Sequence, residues 1–122
     1  MYIRSRSEAP QRRRPGLVSH ILLQRGDVAG SELAVTWVDI EPGGGQQPHS
    51  HAPEQVYVIV RGRGLMAVGP EQREVHAGDL VDVPSGAPHA IQNTGDEVLT
   101  YISAASPAFD LEALYDTGEL KA

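Results

Sequence analysis

Glycine and proline cut this chain into short pieces. Thirteen glycines and nine prolines are spread through 122 residues. Between them lie apolar runs only a few residues long, at 17–23, 56–60, 65–68 and 80–83. Runs of that length fit strands and are too short for stable helices. Turn signals recur at roughly eight- to twelve-residue spacing, the pattern of a β-sandwich or barrel; they include Gly26-Asp27, Gly69-Pro70, Ala77-Gly78-Asp79, Pro84-Ser85-Gly86 and Asn93-Thr94-Gly95-Asp96. The sequence therefore predicts an all-β barrel of six to eight strands, with further strands at 31–40, 72–75, 90–92 and 98–103. The stretch 31–40 is apolar on both faces. Only the C-terminus reads otherwise. Ser106-Pro107 resembles a helix N-cap with proline at the first helical position, and Phe109, Leu111, Leu114 and Tyr115 form a helical stripe, predicting a short C-terminal helix.

The length fits one domain. Three segments are expected: an arm at 1–16, a barrel at 17–106 and a tail at 107–122. The arm carries Arg4, Arg6, Arg12, Arg13 and Arg14, broken by Pro10 and Pro15, and reads as a flexible terminus or an exchanged strand. The chain as a whole has a net charge of −6, which disfavours nucleic acid as a partner. No apolar stretch approaches the ~18 residues of a membrane helix, and no signal-like segment opens the chain, so the expected location is the cytoplasm. Cysteine is absent. Any metal must then be held by nitrogen and oxygen.

Five histidines are present, two of them as His49-Ser50-His51. On an extended strand, residues i and i+2 point the same way, which makes His-x-His a ready pair of nitrogen ligands for a first-row transition metal. Two solvated loop histidines are the alternative. His20 and His76 stand apart, the first in an expected strand and the second before a glycine turn, and neither is assigned a direct role.

The surroundings of His49 carry a pattern. Gly43, five residues, His49-x-His51, three residues, Gln55, six residues and Gly62 resemble the first sequence motif of the cupin family, with glutamine where glutamate is usual. Gly78, five residues, Pro84-x-Gly86, two residues, His89, three residues and Asn93 resemble the second motif at every position. The likeness, to small single-domain bacterial cupins, covers roughly residues 17–106. It implies a jelly-roll barrel and a metal set of His49, His51, Gln55 and His89 around one divalent transition metal: Mn, Fe, Ni, Zn or Cu. It also implies a small-molecule substrate and a homodimer.

Glu54 competes with Gln55 for the fourth position, since an anionic oxygen binds a divalent ion better than an amide. Apolar residues at 56–60 hide which parity faces inward, and the six-residue spacing to Gly62 favours Gln55. A neutral amide leaves the ion more charge, and so a harsher Lewis acid, at some cost in affinity. Trp37, Gln47, Tyr57, Met66 and Tyr101 are candidate pocket residues. Gly62, Gly78 and Gly86 are expected at positive φ, and Asn93 is expected to satisfy backbone groups at a turn. The resemblance favours an enzyme using the metal as Lewis acid on a keto acid, a uronate or a similar oxygen-rich molecule, as an isomerase, lyase, cyclase or decarboxylase. An iron- or copper-dependent dioxygenase and a non-catalytic ligand-binding module are the alternatives.

Overall fold

A computed structural model describes residues 1–108. After a short 3-10 turn at Arg6–Glu8 come ten strands: β1 (Gln11–Arg14), β2 (Leu17–Leu23), β3 (Ala34–Ile40), β4 (Gly45–His49), β5 (Glu54–Arg61), β6 (Arg63–Val68), β7 (Glu71–His76), β8 (Leu80–Val83), β9 (His89–Asn93) and β10 (Leu99–Ser106). They form a six-stranded sheet in the order β1-β2-β3-β10-β5-β8 and a four-stranded sheet in the order β4-β9-β6-β7. Strands β3 to β10 divide alternately between the sheets as 3-10-5-8 and 4-9-6-7. That is the eight-stranded jelly roll, two Greek keys folded face to face, and it was the expected architecture. The two extra strands widen one sheet.

β1 is one of the extra strands. Gln11 lies opposite His20 and Arg14 opposite Leu17, so residues 11–14 extend the edge of the larger sheet on their own chain. Alternation gives no sign of this strand, because Gln-Arg-Arg-Arg has no apolar face. At the other end, Ser106 closes β10 and Pro107 lies in a bend, so a helix does not begin at Pro107. The remainder of the expected helix, from Phe109 onward, lies outside the described residues.

The core lies between the sheets. Leu17, Val38, Ile40, Tyr57, Ile59, Met66, Val75, Val83, Ile91, Leu99 and Tyr101 form one buried cluster. On β3 the alternation is strict: Ala34, Thr36, Val38 and Ile40 are buried, while Val35, Trp37 and Asp39 take the outer face. Trp37 therefore points away from the interior, which corrects its assignment to the pocket. Its indole N–H donates to Asp39 Oδ1 at 3.1 Å, and the Arg6 guanidinium lies 5.2 Å from its ring centre. On β5, Gln55, Tyr57 and Ile59 face in, whereas Glu54, Val58 and Val60 are exposed.

Candidate metal centre

The second-motif loop is fastened to the first. The Gly86 N–H donates to the carbonyl of His51 at 2.9 Å, and the Ser85 hydroxyl donates to that of Ala52. Gly86 makes this turn at φ +76°, a conformation costly for any residue with a Cβ. In the smaller sheet, His49 at the end of β4 lies opposite His89 at the start of β9. His51 sits past the end of β4, in the connection to β5 rather than on a strand. The i, i+2 argument thus described only its first member, yet the rings meet. Ring centres are 4.2 Å apart for His49 and His89, 5.2 Å for His51 and His89, and 5.7 Å for His49 and His51. One ring nitrogen from each lies within 4.8 Å of those of the other two.

Each imidazole is oriented in the same way. Nδ1 of His49 contacts the Gln47 carbonyl at 2.8 Å, Nδ1 of His51 that of Pro53 at 3.3 Å, and Nδ1 of His89 that of Ala87 at 2.9 Å. A carbonyl only accepts, so each Nδ1 carries the proton and each Nε2 keeps a lone pair. Histidines that ligate metals are typically tied in this way through their second nitrogen. Burial pushes the His49 pKa down to about 4, against the upward pull of its bond to Gln47; the neighbouring His89 and His51 add a smaller downward push. Burial also lowers His51 and His89. The three rings are neutral at pH 7, the form that ligation requires. Converging neutral nitrogen donors, together with the absence of thiols, fit a borderline divalent ion.

Gln55 reaches this cluster from the opposite sheet. It is 4% exposed, its amide nitrogen lies 2.7 Å from His89 Nε2, and its oxygen accepts from the Ser103 hydroxyl at 3.1 Å. Glu54 faces outward beside Asp82, and a shared hydrogen bond and like charge raise its pKa. Tyr57 stacks on Tyr101 at 4.3 Å and turns its ring edge-on to His89 at 6.0 Å. Both tyrosines and Met66 are buried on the inner faces. Gln47 is exposed and brings its backbone carbonyl, not its side chain, to the site. Ser103 and the buried Gln46 were not anticipated. Ser103 shares its parity with Tyr101, which is the one signal that could have found it.

The sequence model of the Cupin domain matches residues 36–105. An uncharacterised protein of Methanocaldococcus jannaschii is 37% identical over 65 residues, 52% of either chain. The chain spans about half the length of the first curated relatives it matches. Among solved structures, a predicted oxalate decarboxylase from Thermotoga maritima has a TM-score of 0.76 at 23% identity, over 88% of this chain and 99% of that one. Oxalate decarboxylase of Bacillus subtilis, a protein with Mn(II) centres, has a TM-score of 0.80 at 22% identity, over 89% of this chain and 30% of that one. With the family model covering more than half of its residues and a jelly roll beneath them, the chain belongs to the cupin family.

Proposed function

We propose that the protein binds one divalent transition metal through His49, His51, His89 and Gln55 and acts as an enzyme on a small, oxygen-rich molecule. The observation that carries this reading is the shared Nδ1-to-carbonyl tether of His49, His51 and His89, the first two half-buried and the third buried, which leaves three Nε2 lone pairs on rings whose nitrogens lie within 4.8 Å of one another. An ion held there supplies Lewis acidity toward a carboxylate, carbonyl or hydroxyl oxygen. The chain's own part is to keep the rings neutral and aimed. Gln55 adds an amide rather than a charge, and the stacked Tyr57 and Tyr101 give the interior a rigid aromatic wall. The Mn(II) centres of the Bacillus subtilis protein and the predicted oxalate decarboxylase from Thermotoga maritima support metal chemistry on small acids in this fold.

Elemental analysis of the purified protein tests the first half of the proposal. One equivalent of metal in the wild type, and loss of most of it in His89→Ala, is the expected result. A wild-type protein that takes up no divalent metal overturns it. Turnover is then sought among keto acids, uronates and diketones with metal restored. Consumption that tracks metal occupancy supports an enzyme, and binding without turnover supports the ligand-binding alternative.

A further inference from the structure

The inner face of the smaller sheet carries a second polar station, and this one is charged. Residues opposite one another on paired strands share a face. His49, His89, Val68 and Glu71 therefore form one row across β4, β9, β6 and β7, and Gln46, Ile91, Met66 and Arg73 form the next. Arg73 thus stands on the same face as His49 and His89, two strands from His89. Strand spacing and rise place its Cα roughly 12 Å from that of His89, and the intervening floor is Val68 and Met66.

β7 and β8 are the ends of their sheets and do not pair. Between them opens a cleft of about 390 Å³, lined by Met66, Val68, Val75 and Val81 within and by Glu71 and Arg73 from β7. Among the described residues, no side-chain hydrogen bond or ion pair engages Arg73 or Glu71. The other acids of the rim are occupied. Asp79 accepts from the His76 N–H at 2.7 Å, and Asp82 is paired with Glu54.

We infer that Arg73 binds the carboxylate of a small hydroxylated acid that lies over Val68 and reaches the histidine cluster at its other end. The inference rests on the metal-binding reading and names the substrate class for that site. A guanidinium holds a carboxylate through two parallel hydrogen bonds. Glu71, two residues away on the same face, is placed to accept from hydroxyl groups, which discriminates a polyhydroxy acid from a plain fatty or aromatic one. An apolar floor between two polar ends is the usual construction of a small-ligand cleft.

Calorimetric titration of the metal-loaded protein with glucuronate and with glucose tests this. The acid is expected to bind and the neutral sugar to bind far more weakly. Arg73→Gln is expected to lower glucuronate affinity about 10- to 100-fold, with Arg73→Lys in between, while metal content stays at the wild-type level. The competing role for Arg73 is that of an inward charge that keeps the β7 edge from pairing with other chains. If Arg73→Gln keeps glucuronate affinity, with or without increased self-association, the inference is overturned. Metal-loaded wild type that does not prefer the acid overturns it as well. A protein that never loads metal overturns the underlying metal reading instead, so the two failures are distinguishable.

Discussion

At the scale of single residues, strand parity separates two neighbours that chemistry alone would rank the other way. Glu54 is the better ligand type, but its side chain is on the outside with Asp82, and Gln55 is on the inside beside His89. Gln55→Ala is therefore expected to weaken metal binding by about tenfold or more, Gln55→Glu to tighten it, and Glu54→Ala to leave it unchanged. Competition titration with a chromogenic chelator reads all three, and an effect confined to Glu54→Ala would reverse the assignment. The sequence spacing to Gly62 carried this distinction. Alternation did not, because Val56, Val58 and Val60 make the outer face of β5 as apolar as the inner one.

Acid acts on the same residues. The folded pKa of His49 lies at about 4, below the ordinary 6.5, so between these values the unfolded chain binds more protons than the folded one. Stability from this group is complete above pH 6.5, declines as pH falls toward 4, and is level below that. For His49 the loss is on the order of 3 kcal/mol. Urea unfolding of metal-free protein across pH 4 to 7.5 measures it, with His49→Gln as the control that removes this slope. A wild type whose slope matches that of the control would place the titration elsewhere. Bound metal competes with protons for the same lone pairs, so the loaded protein is expected to hold its stability to lower pH.

At the scale of elements, two turns decide whether strands meet in register. Gly62 joins β5 to β6 at φ +81°, and a Cβ there would lie 2.6 Å from the Val98 carbonyl oxygen. Gly69 joins β6 to β7 at φ +55° with open space around it. Gly62→Ala suffers both backbone strain and a collision with backbone that cannot move aside, whereas Gly69→Ala suffers strain alone. Thermal melts are expected to show Gly62→Ala down by more than about 2 kcal/mol and Gly69→Ala by about 1 kcal/mol. Equal losses would mean that the Val98 contact yields.

Asn93 acts as a clasp of the same kind. Its amide donates to the carbonyls of Ile40 and Glu97 at 2.9 and 2.8 Å, and its oxygen accepts from the Gly95 N–H at 2.9 Å. This is the backbone role expected of it. Such elements were legible because glycine and asparagine mark turns by their own chemistry; strands β2 and β8 fell at the expected residues. β1 and the outward Trp37 were hidden for a different reason. An all-polar edge strand has no periodicity, and a strand apolar on both faces has an ambiguous one.

For the whole molecule, the outer face of the larger sheet is the surface still to be accounted for. Val58 is 37% exposed, Val60 43% and Leu80 62%, and all three stand on adjacent strands β5 and β8. A protein with net charge −6 has ample polar residues for its surface, yet here neighbouring positions are aliphatic. Contiguous apolar surface on one sheet favours burial against a like sheet, and a two-fold pairing places the same patch on both partners. The expected species is a homodimer joined across this face, with twice the 13.1 kDa chain mass, measurable by light scattering at micromolar concentration. Val58→Lys combined with Val60→Lys sets like charges against each other at the centre of that contact and is expected to give monomers that keep the β-rich circular dichroism spectrum. The same substitutions lie on the opposite side of β5 from Gln55, so metal content is expected to remain at one equivalent per chain. A wild-type monomer would remove the dimer, and a dimer that survives both lysines would move its interface to another face.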